Sequence, residues 1–261
     1  MPSKRQAVFL LFAAGALFSS VFLGPASGGA QTPRRPARET LIADVDLTCS
    51  FILVETPAAF RVGPPATDDQ KTVFSDFDQF YSVGTPAEEM SPGRVWTILE
   101  YGPSVRLGER KDIRGTIAFR RGRARFLRMD GTRAKFQIEK ACGPVMAGYG
   151  LVPFMEPATL RGEQQAWDVP FGEGGTSAGR VVFLDDDLVQ LGTGQWAIVD
   201  LGGEDGLAVG QQLALFHQAG EVPPQAVGNA VVISLGPRWA TVKILSAKDT
   251  IRLGDLVLLP R

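Results

Sequence analysis

The sequence predicts an all-β protein in which two tandem small β-barrel modules follow an N-terminal signal segment. Three observations predict this architecture: a long internal repeat, many turn-forming residues and an apolar N-terminus. Glycine occurs 30 times and proline 18 times in the 261 residues, which favours short strands joined by many turns. The hydrophobic fraction of 44% and the charged fraction of 21% are ordinary for a globular chain.

The internal repeat indicates a duplicated module. The segment that begins at Gly122 matches the segment that begins at Gly228 without a gap. The residues shared by the two segments are glycines, alanines and an isoleucine, which build turns and cores and are not catalytic. The repeat therefore predicts one β-rich module present twice. The shared positions are Gly122, Ala124, Ala134, Ile138, Ala141 and Gly148 in the first copy, and Gly228, Ala230, Ala240, Ile244, Ala247 and Gly254 in the second.

The repeat continues upstream of these segments with a different offset. Residues 80–84 and 90–93 match residues 197–201 and 207–210. The first copy then carries about eleven extra residues around Ser104 to Ile113. We expect this insertion to be a hairpin loop between two strands, where added length costs little free energy.

The N-terminus is typical of an export signal. Lys4 and Arg5 precede a nearly uninterrupted apolar run over residues 7–23, and small residues follow as far as Ala30. We therefore predict a signal peptide and a periplasmic or cell-envelope location. The alternative is an uncleaved anchor helix, although the run of about 17 residues is at the short limit for a membrane span.

Composition sets the expected domain boundaries. Glycine and proline concentrate after the first module, which predicts a flexible, solvated linker. Inside the first module, Asp130-Gly131 supplies the tight turn of a hairpin. The predicted segments are a signal peptide (1–30), a flexible leader (31–40), a first β-barrel module (41–155), a Gly/Pro-rich linker (156–179) and a second β-barrel module (180–261).

The chain contains two cysteines, Cys49 and Cys142. Residues 41–55 alternate and then become apolar, which predicts a first strand that carries Cys49, and Cys142 is expected near the last strand of the same module. An even count in an oxidising compartment permits a disulfide, and the first and last strands of a closed barrel are often neighbours. The alternative is two small buried thiols. Their spacing does not suit a metal pair, and His217 is the only histidine.

The turns and strand ends of the second copy resemble a module of bacterial envelope proteins. The resemblance covers residues 180–260 well and residues 73–154 more loosely, with Tyr149 standing where the second copy has Asp255. The module is similar to the C-terminal domain of flagellar assembly protein T, which occurs in proteins with peptidoglycan-binding LysM domains. The resemblance implies a structural motif of turns and strand ends that carries no catalytic residue. We find no LysM segment in this sequence. The matching stretches are 199–202, 204–207, 209–210, 228–232, 240–242 and 251–255.

A basic stripe is the best candidate for a binding surface. From Arg94 to Lys140 there are thirteen basic and five acidic residues, whereas the chain from Gln31 onwards has 25 basic and 28 acidic residues. In a β-strand every second side chain lies on the same face, so Arg121, Arg123 and Arg125 are expected side by side. Adjacent guanidiniums repel one another unless an anion faces them. The alternative is a solvated outer face balanced by the acidic second module. The candidate residues are Arg120, Arg121, Arg123, Arg125 and Arg128.

Other possible reactive groups are better explained as structural residues. His217 ends an apolar strand, and catalysis would require an orienting carboxylate and a nucleophile. The run Asp185-Asp186-Asp187 lacks the spaced ligands of a calcium loop. Residues 202–206 lack the lysine and the helix of a phosphate cradle and are predicted to be a hairpin turn. The sequence therefore predicts no cofactor, no metal site and no enzymatic activity.

These observations predict a non-enzymatic, exported cell-envelope scaffold or adaptor that associates with peptidoglycan or an envelope complex through the basic face. The expected partner is an envelope protein or another anionic surface, and nucleic acid is not expected after export. Membrane contact is expected only if the signal segment is uncleaved. The alternative is a periplasmic ligand- or glycan-binding protein that uses the cleft between the modules.

Overall fold

The computed structural model describes residues 39–67, 70–86, 90–107, 113–155, 160–167, 175–185, 188–218 and 220–260. These residues all belong to one unit of the chain, Ala37–Arg261. The predicted signal segment and leader residues 31–38 lie outside the described residues. Within the described residues the fold is all-β, apart from one short α-helix and one 3-10 turn.

The first part of the chain contains a short helix among eleven strands. They are β1 (Glu39–Ile42), α1 (Asp44–Cys49), β2 (Phe51–Val54), β3 (Arg61–Pro65), β4 (Val73–Phe74), β5 (Gln79–Val83), β6 (Val95–Leu107), β7 (Ile113–Asp130), β8 (Arg133–Ala141), β9 (Val145–Met146), β10 (Gly150–Pro153) and β11 (Leu160–Gly162), as far as the described residues extend. The second part contains β12 (Gly175–Leu184), β13 (Trp196–Val199), the 3-10 turn Gly203–Asp205, β14 (Gln212–His217), β15 (Gln225–Leu235), β16 (Ala240–Ala247) and β17 (Leu256–Pro260).

The second module is a closed barrel with the strand order β12-β13-β16-β15-β14-β17. The first module is a seven-stranded sheet, β2-β7-β6-β10-β3-β5-β8, with an additional pairing between β7 and β8. The prediction of an all-β fold is therefore confirmed, and the second module is a closed six-stranded barrel. The first module departs from the second because β6 and β7 are much longer than β14 and β15, and the extension of β7 pairs with β2.

The internal repeat appears in the strand pairing itself. In the first module β7 pairs with β8, β8 with β5, β5 with β3, β3 with β10, β10 with β6 and β6 with β7. The barrel strands β15, β16, β13, β12, β17 and β14 pair in the same order. The partners also correspond: Gly122 faces Ala141 in one copy, and Gly228 faces Ala247 in the other.

Both copies carry a register shift at the same place. In the β7–β8 pair the shift lies between Arg123 and Ala124, and in the β15–β16 pair it lies between the matching Asn229 and Ala230. The neighbouring glycine is required because the partner strand passes very close. A Cβ atom on Gly122 would lie 2.1 Å from the Lys140 carbonyl oxygen. A Cβ atom on Gly228 would lie 2.4 Å from the matching Ser246 oxygen, so any side chain at either position would collide with backbone.

The two modules fill their interiors with side chains of different size. The first module has an aromatic core in which Phe80 stacks on Phe136 with ring centroids 5.4 Å apart. The matching positions in the barrel are Ala197 and Val242, which belong to an aliphatic core. The strand registers are therefore kept while the packing differs between the copies.

The N-terminal segment of the first module crosses to the second module. The sequence predicts a strand over residues 41–55, but this segment forms β1, α1 and β2. Leu41, Ile42 and Leu47 pack against barrel residues that include Val231 and Ile233. Burial against a partner far along the chain overrides the local strand preference here.

The predicted hairpin loop is instead part of the contact between the modules. The extended ends of β6 and β7 include Leu107, Ile113 and Ile117, which pack with Ile198 and Trp239 of the second module. The inserted residues thus lengthen two paired strands and bury apolar surface. The repeat reveals the extra length but not its packing partner.

The described part of the predicted linker is also held against the fold. β11 pairs with β1, and the Gln212 side chain accepts a hydrogen bond from the Gln165 amide at 2.9 Å and donates to the Glu163 carbonyl oxygen at 2.8 Å. Trp167 packs on the barrel strands. This differs from the solvated tether that composition predicts, because one face of the segment finds apolar and hydrogen-bonding partners on the barrel.

A buried carboxylate on α1 connects the modules. Asp46, which is 1% exposed, accepts hydrogen bonds from the Lys243 ammonium at 2.7 Å and from the Trp196 indole at 3.1 Å, both from the second module. It also accepts from the Ala43 amide at 2.8 Å, which fixes the start of α1. Near this contact, the Thr241 hydroxyl donates to the Phe51 carbonyl oxygen at 2.9 Å.

We predict that Gly122→Ala and Gly228→Ala both destabilise the protein, by about 2–4 kcal/mol each, because each methyl group meets a carbonyl oxygen of the partner strand. The loss should be larger at Gly122, whose φ of 143° is unfavourable for alanine. The measurement is the free energy of unfolding in denaturant. Gly192→Ala is the control, since its Cβ would make only an ordinary contact, 3.9 Å from Gln195. A stable Gly228→Ala variant beside an unstable Gly122→Ala variant would contradict the equivalence of the two sites.

We predict that Asp46→Ala lowers the free energy of unfolding by about 3–5 kcal/mol, because it leaves the Lys243 ammonium and the Trp196 indole without their partner. The double variant Asp46→Leu with Lys243→Met should recover most of this loss, since an apolar pair replaces a half-broken ion pair. Thermal melting of the two variants checks this. An Asp46→Ala protein that melts like the wild type would show that the pair does not stabilise the contact.

Candidate functional site

The basic stripe lies on β7 with the alternation that the sequence predicts. Gly122, Ala124 and Phe126 are buried, while Arg125 is exposed and Arg121 and Arg123 are partly exposed. This places the arginines on the outer side of the strand and the small and apolar residues in the core of the first module.

Carboxylates of the same chain face the three arginines. Arg121 forms an ion pair with Glu100. Arg123 lies between Asp44 and Glu139, and Arg125 also pairs with Glu139. The repulsion expected from the sequence is therefore relieved internally. The arginines and carboxylates form a polar network on the surface rather than three open anion sites.

The alternation along β7 does not predict these carboxylates, because they lie on other elements. The predicted hairpin turn at Asp130-Gly131 is confirmed, since β7 and β8 pair from Asp130 opposite Arg133. Counting back from that turn without a register shift sets Glu139 opposite the buried Ala124, on the inner face, so the sequence does not predict its contact with Arg123 and Arg125. The sequence does not predict Asp44 either, because α1 reaches β7 only through the fold.

Arg120 differs from the rest of the stripe. Its guanidinium donates to the Ser50 hydroxyl at 2.8 Å and, more weakly, to the Ser234 hydroxyl of the second module at 3.4 Å. Removal from water lowers the pKa of Arg120 to about 10, because burial disfavours the charged form. A register shift in the β6–β7 pair, between Ile98 and Leu99, leaves Arg121 as the extra residue and sets Arg120 apart.

Arg128 lies at the other end of the stripe. It is exposed and stands opposite Lys135 across the β7–β8 hairpin. The nearby Tyr81 hydroxyl donates to Asp130 at 2.8 Å, which raises the pKa of Tyr81, and the positive charge of Arg128 opposes this rise. Arg125 and Arg128 are thus the candidate residues most open to a partner molecule.

Several cavities of the described part of the chain lie near these groups. One of about 200 Å³ is bounded by Arg120 and by α1, β2, β6 and β10. A second of about 400 Å³ lies over Arg123 and Arg125 and contains their carboxylate partners. A third of about 390 Å³ lies between the modules, with Leu53, Arg114, Glu204 and Trp239 among its walls.

A disulfide joins Cys49 and Cys142, whose Cα atoms are 5.4 Å apart. The sequence predicts Cys49 on a first strand, but it is the last residue of α1, and Cys142 follows β8. The bond therefore fastens the connecting helix to the first module rather than closing a barrel. It spans 93 residues of sequence, so it constrains a long loop of the unfolded chain.

His217 has the orienting carboxylate that catalysis would require, but no nucleophile among the described residues is paired with it. Its Nδ1 atom lies 2.7 Å from Asp255, which is 3% exposed. Asp255 also accepts a hydrogen bond from the Arg252 amide at 2.8 Å, which fixes the turn before β17. The pair is therefore a contact at the end of a strand.

The other candidate sites are also structural where the structure describes them. Asp186 and Asp187 lie outside the described residues. The Gly203 and Glu204 amides donate to the carbonyl oxygens of Gly236 and Pro237, which leaves them no capacity to hold a phosphate.

Across the described ranges, no group of three or more histidine, cysteine or acidic side chains could hold a metal ion. No helix in the described part of the chain has the length and apolarity needed to span a membrane.

The chain matches no protein-family model, and a search of curated proteins also finds no match.

We predict that replacing both cysteines with serine destabilises the protein by about 3–5 kcal/mol, because the unfolded chain regains the freedom of a long loop. Denaturant unfolding of the wild type with and without reductant, alongside the double serine variant, measures this. Reductant should leave the double variant unchanged, which is the control. Equal stability of oxidised and reduced wild type would contradict the prediction.

Proposed function

We propose that this protein is a non-enzymatic, exported scaffold or adaptor of the bacterial cell envelope. The observation that carries the proposal is the construction of the molecule: a repeated β module whose two copies are joined through buried apolar clusters, a buried ion pair and a helix held by a disulfide. Such a construction suits a rigid spacer with two outer surfaces. The chain's disulfide is consistent with an oxidising compartment outside the cytoplasm.

The proposal includes the origin of both modules from one small barrel. The shared order of pairing and the shared register shifts support it. In this proposal the first copy is the same barrel with its β6–β7 hairpin extended and β2 added. The resemblance to the C-terminal domain of flagellar assembly protein T supports an envelope role, since that module is itself structural.

We propose that the partner is an anionic surface, either peptidoglycan or an acidic envelope protein, and that it meets the open end of the basic stripe. Arg125 and Arg128 are exposed there, close to Arg133 at the hairpin turn. The inner arginines, Arg121 and Arg123, are neutralised by carboxylates and contribute little. Arg125 shares Glu139 with Arg123 and keeps part of its side chain exposed. Exposed charges of this kind raise association rates and weak affinity, and salt screens them.

A second candidate function is ligand binding between the modules. The cavity of about 390 Å³ there favours it, because Trp239 can stack on a sugar ring and Arg114 and Glu204 can form hydrogen bonds. Titrating soluble peptidoglycan fragments while recording tryptophan fluorescence separates the two functions. A saturable change that is lost in Trp239→Ala supports the second.

We predict that the mature protein sediments with purified peptidoglycan or with an acidic envelope fraction at low salt and is released at high salt. Arg125→Ala with Arg128→Ala should weaken retention about tenfold, because each exposed contact contributes about 0.5–1 kcal/mol. The matched control is Arg161→Ala with Arg252→Ala, which removes two exposed charges elsewhere. Retention that ignores salt and both double variants would refute binding through the basic stripe.

A further inference from the structure

Arg120 lies at a cavity that the scaffold proposal does not use. The cavity is bounded by α1 and β2 on one side and by β6 and β10 on the other, and its volume is about 200 Å³. An engineered apolar cavity of about 150 Å³ holds a benzene molecule, so this one is large enough for a small organic group. Its walls are mainly apolar side chains: Leu47, Ile52, Val152, Pro153, Phe154 and Met155.

The Arg120 guanidinium differs from its neighbours on β7 in its charge partners. Among the described residues no carboxylate lies within ion-pair distance of it, whereas Arg121, Arg123 and Arg125 each have one. Its two hydrogen bonds go to the neutral hydroxyls of Ser50 and Ser234. A guanidinium has five N–H donors, so donors remain that a ligand can use. A charge that is partly withdrawn from water without an anion favours the binding of one.

The repeated module does not require an arginine at this position. The repeat places Ala226 of the barrel where the first module has Arg120, next to the same register shift. In the barrel, alanine is sufficient for the strand to form. The guanidinium is therefore a feature of the first module alone, and its partial burial has no role in the shared scaffold.

We propose that this cavity binds a small apolar carboxylate, with the carboxylate against the Arg120 guanidinium and the apolar part against the walls near Phe154. A guanidinium binds a carboxylate through two parallel hydrogen bonds, and the Thr97 hydroxyl at the cavity wall can supply another. The apolar walls select against small hydrophilic anions. The carboxylate can belong to a free acid or to the last residue of a peptide with an apolar side chain.

This site is independent of the scaffold proposal. Retention on an anionic surface depends on Arg125 and Arg128 at the open end of the stripe, whereas the carboxylate site depends on Arg120 beneath α1. Loss of either property therefore leaves the other measurable in the same protein.

The first test compares an acid with its neutral amide on the wild-type protein. Phenylacetate should raise the melting temperature and give a saturable calorimetric signal at millimolar concentration, and phenylacetamide should bind about 10- to 100-fold more weakly. Acetate, which lacks the apolar part, should also bind weakly. A short peptide ending in phenylalanine, with a free or an amidated C-terminus, distinguishes the two sources. Equal binding of acid and amide, or no binding of either acid or peptide, overturns the proposal.

The second test uses Arg120→Met, with Arg128→Met as the matched control. Arg120→Met should lose about 10- to 100-fold in affinity for phenylacetate and should melt no lower than the wild type, because it removes an unpaired charge. Arg128→Met should bind like the wild type. Unchanged affinity in Arg120→Met overturns the proposal. If Arg120→Met does not fold, the comparison of acid with amide on the wild type decides the question without it.

Discussion

The buried carboxylate of Asp46 is the contact on which the relation between the two modules depends. Its Lys243 and Trp196 partners belong to the barrel, while its own helix belongs to the first module. A carboxylate that is 1% exposed requires such partners, so the ion pair specifies one arrangement of the modules where apolar packing alone would tolerate several. The disulfide at Cys49 then ties the end of that helix to the first module. Together they make a two-module chain behave as one body.

The two modules share their strand pairing but differ in core packing and on their outer faces. Inside, the register shifts beside Gly122 and Gly228 are the same, which shows that strand pairing tolerates little change. Outside, only the first copy has the long β6–β7 hairpin, the added strand β2 and the arginine stripe of β7. The hairpin buries apolar residues on the barrel, and Arg121, Arg123 and Arg125 pair with carboxylates. Arg120 has no carboxylate partner among the described residues although it is partly buried, and it is the position where a functional explanation is most needed.

The sequence predicts the repeated part of this fold well and the connecting part poorly. The offset between the copies, the hairpin at Asp130 and the outward alternation of Arg121 to Arg125 depend on neighbours along the chain, so local pattern is enough to find them. Helix α1 lies in a stretch that alternates like a strand, and its conformation follows from burial against the second module. The role of the inserted hairpin is invisible for the same reason, since Trp239 lies more than a hundred residues away. The counter-ions Asp44 and Glu100 likewise require the assembled fold.

The Arg120 cavity and the module contact share helix α1. Leu47 lines the cavity and also packs in the apolar cluster with Val231 of the barrel. The adjacent Asp46 holds the ion pair, and the Ser234 hydroxyl that Arg120 reaches belongs to the barrel. Any molecule that fills the cavity therefore contacts the element that fixes the second module. Linkage makes the effect reciprocal, because a ligand that prefers the docked arrangement stabilises it by the same free energy by which docking raises its affinity. In the proposed function, a ligand at Arg120 would therefore act on the contact between the two modules.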